Sequence, residues 1–415
     1  MNYYTETTNF YGNSDPQQLV DRYGSPLYVY NETVLRVRCR QMKELIAYPD
    51  FQVNYSVKAN SNLKLLQIIH SEGLFADAMS PGEIYVLQTA GFTADEIFYV
   101  GNNVSDEEMQ YAVEREIIVS VDSLAQLERY GRLNPGKAVA VRFNPGVGAG
   151  HHEKVITGGS KTKFGVNPEY IAEVKQILAR YQLKLAGINQ HIGSLFLEGE
   201  PYLAGARALL KIASQFDDLQ FVDLGGGFGI PYRKQDGQPR LNLRQLGDEL
   251  STMIDNWTAE YGKNIRFKIE PGRYLVAECG VLLGTVHALK ENTGKFYVGT
   301  DLGFNVLMRP VLYDAYHELE VYHEGKLVTT EASQTATIVG NICETGDIIA
   351  KDRTLPHIFE GDLLGVMDAG AYGFSMSSNY NNRLRPAEIL IRTDGNPELI
   401  RRRESLEDLL LGYES

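Results

Sequence analysis

Six short stretches of the sequence place reactive side chains directly after an apolar run. Lys58 ends VNYSVK, Asp77 lies in LFADAM, and Arg142 and Asn144 lie in VRFNPG. His191 lies in NQHIGS, Gly225–Gly227 and Gly229 in DLGGGFGI, and Glu270 and Arg273 in KIEPGR. An amine at the end of a β-run can lose part of its ammonium stabilisation and act as a Schiff-base nucleophile. A glycine-rich turn lets backbone amides approach an anion closely. A carboxylate such as Glu270, set beside a pyridine nitrogen, keeps that nitrogen protonated and makes the ring an electron sink. His191 offers a flat face for such a ring. Each feature also has an ordinary reading: a solvated lysine, a turn without ligand, a Glu270–Arg273 ion pair, a satisfied histidine. Together, an amine, a phosphate cradle, a carboxylate and a flat aromatic form a coherent site for pyridoxal 5'-phosphate.

The elements that must position these groups are visible as a repeated pattern. Strand-like runs at 52–57, 74–79, 97–100, 117–121, 138–143, 185–190, 219–224 and 266–269 alternate with stretches of helical spacing at 61–72, 83–90, 104–114 and 170–181. Such alternation predicts an α/β fold, a (β/α)8 barrel of the TIM type, with functional groups at the C-terminal strand ends. From about residue 281 the texture changes to β-rich segments such as LLGTVHALKE, KFYVGTDL, HELEVY, TATIVGNI and DLLGVMDAG. These predict a mostly β C-terminal domain of sandwich or barrel type, joined by the N-terminal strand-like PLYVYNE. The expected division is a cofactor-binding barrel over 31–280 and a β domain formed by 1–30 and 281–415.

A net charge of -13 (40 basic against 53 acidic residues) argues against nucleic acid or an anionic membrane as partner. Three cysteines (Cys39, Cys279 and Cys343) fit a reducing compartment rather than a disulfide scaffold. The N-terminus lacks a signal-peptide pattern, and no apolar run approaches the roughly 20 residues of a membrane helix. A cytoplasmic location is expected. Cysteines and histidines lack zinc-ligand spacing, and the adjacent His151–His152 pair is expected in a loop, so no metal is expected.

The motifs YSVKANSN, HIGS, DLGGGFGIPY, EPGRYLVAECG, NICETGD and DAGAYGFSMSSNYNNRLRPAE, in this order, resemble diaminopimelate decarboxylase, a family of alanine-racemase-like (fold type III) pyridoxal-phosphate enzymes. The likeness runs from about residue 24 to 390. It implies decarboxylation of meso-2,6-diaminopimelate to L-lysine and CO2, the last step of lysine biosynthesis, by a homodimer whose subunits share each active site. By the resemblance, Lys58 carries the cofactor, His191 stacks on its ring and Glu270 pairs with the pyridine nitrogen. Asp77 lies in the cofactor site. Ser194, the amides around Gly227 to Gly229, and Tyr372 hold the phosphate. Arg273, Arg309 and Tyr313 grip the substrate's distal carboxylate, and Tyr372 also borders the substrate. Cys343 and Glu344 come from the neighbouring subunit, Cys343 serving the reacting carbon and Glu344 the distal ammonium.

A substrate end carrying both charges needs arginines for its carboxylate and an acid for its ammonium. An ornithine decarboxylase of this fold has only a distal amine to bind and typically shows Cys-Asp in place of Cys343-Glu344. The chain departs from the family pattern at Pro81, Val104, Asn341 and Thr345, and in DLGFNVLMRP. The competing readings are decarboxylation of ornithine, lysine or a D-amino acid, an amino-acid racemase, and a non-catalytic or regulatory pyridoxal-phosphate-binding protein. A racemase would place arginine rather than Glu270 at the pyridine. The ordinary readings in the β domain are an inert buried thiol for Cys343 and a core aromatic for Tyr372.

Overall fold

A computed structural model describes residues 3–146, 163–330 and 333–414, with the backbone alone at 149–150. The His151–His152 pair lies outside them. The chain divides into two compact units, one of residues 38–230 and 240–275, the other of 1–37, 231–239 and 276–415.

The first unit is a closed barrel of eight parallel strands. They are β1 (Phe51–Ser56), β2 (Phe75–Ala78), β3 (Ile97–Tyr99), β4 (Ile118–Val121), β5 (Ala138–Arg142), β6 (Lys184–Asn189), β7 (Phe221–Asp223) and β8 (Arg266–Ile269), with β8 closing on β1. All eight strand-like runs of the sequence become these strands. Both faces are covered, so β1 is buried along nearly its whole length, as parallel strands require. Helices Leu63–Ser71, Pro81–Ala90, Asp106–Val113, Leu124–Leu133 and Ile171–Arg180 follow the same chain order. Side chains of Asn62, Ser80, Ser105 and Ser123 accept backbone N–H groups at the first four helix starts. Pro81, a departure from the family pattern, sits in the first turn behind Ser80, where a missing N–H costs nothing.

Inside the barrel Phe98 and Phe221 meet edge to face, centroids 5.3 Å apart. Gly187 makes room for them, because a Cβ there would lie 2.5 Å from the Phe221 ring. The ammonium of Lys268, on β8, lies 4.1 Å from the Phe221 centroid and 5.0 Å from that of Phe98.

The second unit is a ten-stranded mixed sheet with short N-terminal helices. Its central strand, Leu27–Asn31, pairs antiparallel with Gly280–Asn292 and parallel with Ala387–Ile391. Phe10, Leu27, Val29, Leu283, Ile389 and Ile391 pack its core. Residues 231–239 fall within the range that the sequence assigns to the barrel, yet they belong to this unit. Buried charge holds them there: the Lys234 ammonium lies 2.5 Å from Asp368 and 3.4 Å from Glu278, both fully buried. Among the described residues no helix is long and apolar enough to cross a membrane.

Phe98→Ala should remove the edge-to-face pair and leave a cavity around Lys268. Denaturant unfolding should show a loss of about 3–5 kcal/mol; a loss below about 1 kcal/mol would mean the barrel interior is not packed around this pair.

Candidate active site at the barrel mouth

β1 ends at Ser56 and passes into a single 3-10 turn, Val57–Ala59, that carries Lys58. Val57 and Ala59 are buried, Tyr55 Oη donates to the Asn60 carbonyl at 2.9 Å, and Asn62 caps the next helix. Lys58 therefore sits on a stub fixed at both ends. Ser56 Oγ lies 2.5 Å from Asp77 Oδ2 and 3.2 Å from the Glu270 carbonyl, tying the ends of β1, β2 and β8 together.

Glu270 begins the EPGR turn. Its N–H donates to the Gly225 carbonyl at 3.0 Å, and its side chain is 5% exposed. Among the described residues, Glu270 Oε1 and Asp77 Oδ1 are both buried and meet no hydrogen-bond donor. Burial pushes the Glu270 carboxyl well above its usual range, and Asp223 and Asp77 push it further, while Lys58 and Arg142 oppose them. Asp77 is pushed up to about 7 by burial, with Lys58 and the Ser56 hydroxyl opposing. Asp223 rises to about 6 for the same reason, and Lys268 falls to about 8. Three acids thus share a water-poor space with the cations Lys58, Arg142 and Lys268. A buried carboxyl oxygen lacking a donor fits a protonated pyridine nitrogen, whose N–H would supply the missing donor and restore the carboxylate.

His191, half-buried, accepts the Gly226 N–H at Nδ1 across 3.4 Å, which leaves its proton on Nε2. Burial, then the charges of Lys58 and Arg142, holds its pKa well below the ordinary value, so it is a neutral flat ring. The glycine loop lies against residues 193–196: Phe196 N–H donates to the Gly227 carbonyl and Gly229 N–H to the Phe196 carbonyl. A Cβ at Gly229 would lie 2.6 Å from that carbonyl, and Gly227 has φ 110°. The Gly229 amide is therefore already used. Among the described residues the N–H groups of Gly227 and Phe228 meet no acceptor, and two consecutive donors of this kind fit a phosphate. Arg273, 7% exposed, reaches Ser194 Oγ at 3.1 Å, and Leu195 beside it takes a left-handed φ of 66°.

Sequence reasoning did not mark Ser56, Asp223 or Lys268. The one available signal was the period-two spacing of Lys268 and Glu270, which puts both on one face of β8 and its extension.

Arg309, Tyr313, Cys343, Glu344 and Tyr372 belong to the β unit. Arg309 is 2% exposed; its guanidinium stacks over Tyr232 and donates to His317 Nε2 at 2.7 Å. His317 can accept there because its Nδ1–H donates to the Met367 carbonyl at 2.7 Å. Tyr313 ends the short helix Arg309–Tyr313 and is half-buried. Tyr372 carries a left-handed φ of 57°, a strained conformation for a tyrosine and of the kind stored at functional turns. Cys343 and Glu344 are exposed, which removes the reading of Cys343 as an inert buried thiol, whereas Cys39 and Cys279 are buried.

The raised Asp77 carboxyl gives a signed expectation. An acid titrating near 3.8 unfolded and about 7 folded stabilises the fold at low pH, and that contribution is lost as pH rises through 7. Cofactor-free Asp77→Asn should therefore gain stability relative to the parent as pH rises from about 4 to about 8; parallel melting profiles would contradict the buried, protonated Asp77.

Residues 33–277 match the model of the family "Pyridoxal-dependent decarboxylase, pyridoxal binding domain". The chain is 42% identical over 410 residues to diaminopimelate decarboxylase of Methanothermobacter thermautotrophicus, covering 97% of this chain and 94% of that one. It is 36% identical to the same enzyme of Archaeoglobus fulgidus, covering 95% and 94%. A crystal structure of diaminopimelate decarboxylase superposes with a TM-score of 0.88 at 31% identity, covering 95% and 96%. The Helicobacter pylori enzyme complexed with L-lysine superposes with 0.86 at 30% identity, covering 95% and 98%. The lysine 58 stub, the orphaned Glu270 oxygen and the free loop amides are thus the barrel-mouth features of a chain that belongs to the diaminopimelate decarboxylase family of pyridoxal-dependent decarboxylases.

Proposed function

We propose that this chain decarboxylates meso-2,6-diaminopimelate, releasing CO2 and leaving L-lysine, as the last step of lysine biosynthesis in the cytoplasm. The observation that carries the reading is the buried Glu270 oxygen, without a donor among the described residues, at the mouth that also holds Lys58. When bound, pyridoxal phosphate supplies an electron sink for the pair left on the α-carbon as CO2 departs.

Lys58 would hold the cofactor covalently, Glu270 its ring nitrogen and His191 its ring face, with Asp77 beside Lys58. Ser194, oriented by Arg273, would hold the phosphate together with the Gly227 and Phe228 amides and Tyr372, while Gly229 keeps the loop close. Arg273, Arg309 and Tyr313 would meet the substrate's distal carboxylate, with Tyr372 at its border and Arg309 pre-oriented by His317. Glu344 would take the distal ammonium, and Cys343 would deliver the proton to the carbon that loses CO2. A doubly charged distal end is selected because a substrate lacking one charge leaves Arg309 or Glu344 without its counter-charge.

We assign Cys343 and Glu344 to the active site of a second copy, in a homodimer. Their exposure on the β unit supports this, since a nucleophile and an acid held at a surface are available to another chain.

Purified protein with pyridoxal phosphate should show a visible-edge absorbance band that borohydride abolishes and that Lys58→Ala lacks. It should release CO2 from meso-diaminopimelate and form lysine. A band retained in Lys58→Ala would defeat the Lys58 assignment; faster turnover of ornithine or lysine would replace the substrate.

Lys58→Ala and Cys343→Ala should each be nearly inactive alone. Unfolded and refolded together, they should recover roughly a quarter of parental activity, because half of randomly mixed dimers carry one intact site. No recovery, with dimers present, would place both residues in a site made by one subunit.

A further inference from the structure

The run SNYNNR (378–383) has no role in the assignments above, yet it grips the loop that carries Cys343 and Glu344. Tyr380 Oη donates to Glu344 Oε1 at 2.5 Å. The next residue, Asn381, accepts the Cys343 N–H on its side-chain oxygen at 3.1 Å. Arg383 Nε donates to the Asn341 carbonyl at 3.1 Å. From beneath, the buried Asp347 carboxylate accepts the Ile342 N–H at 2.8 Å and the Phe304 N–H at 2.7 Å. Phe304 in turn stacks on Tyr380, centroids 5.6 Å apart and planes inclined by 19°.

The turn that brings these contacts together is unusual. Asn381 (φ 56°) and Asn382 (φ 53°) are consecutive left-handed residues, a conformation that asparagine tolerates better than other side chains except glycine. It sets the Tyr380 hydroxyl and the Asn381 amide against one loop. An exposed glutamate ordinarily samples many rotamers and an exposed loop many backbone states, and both freedoms are lost when a ligand binds. Here one Glu344 oxygen already has its donor and the Cys343 backbone is already pinned.

We propose that Tyr380 and Asn381 are positioning residues for the Cys343–Glu344 pair: Tyr380 fixes the Glu344 carboxylate for a substrate ammonium, and Asn381 fixes the backbone from which the Cys343 thiol projects. The proposal rests on the reading that Cys343 and Glu344 meet the substrate.

The test is steady-state kinetics of the full-length, cofactor-loaded enzyme with meso-diaminopimelate. Tyr380→Phe keeps the stack on Phe304 and removes only the hydroxyl from a side chain that is 43% exposed, so the fold is retained, with the melting temperature as control. KM should rise about fivefold to tenfold, exceeding the change in kcat. In a Glu344→Gln background the same substitution should change KM less than about twofold. Asn381→Gly keeps the left-handed backbone and removes the acceptor; kcat should fall about fivefold to tenfold, and Asn381→Asp, which retains an acceptor oxygen, should restore most of it. If Glu344→Gln raises KM but Tyr380→Phe does not, the positioning role of Tyr380 is overturned while the substrate reading stands. If Asn381→Asp is as impaired as Asn381→Gly, the role of Asn381 is overturned. If Glu344→Gln leaves KM unaltered, the assignment of Glu344 to the substrate fails and takes the Tyr380 role with it.

Discussion

Three carboxyl groups withdrawn from water at one end of a barrel would be ruinous without compensation, and the barrel unit is arranged around supplying it. Asp77, Asp223 and Glu270 stand at the ends of β2, β7 and β8, and the cations that answer them come from Lys58, Arg142 and Lys268. Ser56 and the Gly225 N–H meet two of the acids by hydrogen bond. The balance is incomplete: among the described residues, one oxygen each of Asp77, Asp223 and Glu270 has no donor. A cationic ring nitrogen would give the Glu270 oxygen its donor and add a positive charge to the cluster. The Phe98–Phe221 pair packs against Lys268, and His191 stays neutral beside the charges of Lys58 and Arg142.

The β unit solves a different problem. Its reactive side chains sit on turns whose backbone is itself constrained. Asp368 and Tyr372 take left-handed conformations within one five-residue stretch, and Asp368 is anchored by Lys234. Arg309 is held by a histidine whose tautomer is fixed by a backbone carbonyl. Cys343 and Glu344 are exposed but braced from beneath by Asp347. Strain and bracing of this kind give geometric definition to loops that would otherwise be mobile on the surface.

Much of this was legible from residues alone, for identifiable reasons. The eight barrel strands are continuous apolar runs because they are covered on both faces, and their reactive ends stand out against that background. Gly225–Gly229 was legible as an anion cradle, but which amides remain available was not. The Gly229 N–H is taken by Phe196, a pairing that depends on how two distant loops lie together. Asp223 escaped notice because a lone charge at the end of a β-run carries no sign of which way it points, whereas Lys268 shares a face with Glu270 through their period-two spacing. Residues 231–239 have no periodicity of their own, and their allegiance is decided by the ion pairs of Lys234. In the β unit, the strand Ile348–Pro356 is interrupted by a bulged register and a left-handed Asp352, which blurs its alternation.

The central strand of the β unit, Leu27–Asn31, has consequences for biosynthesis. Its two neighbours, Gly280–Asn292 and Ala387–Ile391, lie more than 240 residues further along the chain. As the polypeptide leaves the ribosome, this apolar strand stays unpaired on both edges until residues 280–292 follow, and on one edge until residues 387–391 follow. For that interval it is a template for the wrong partner. Every barrel strand, from Phe51 to Ile269, is made before either partner of Leu27–Asn31 exists, so the barrel can close while the β unit still holds an open strand.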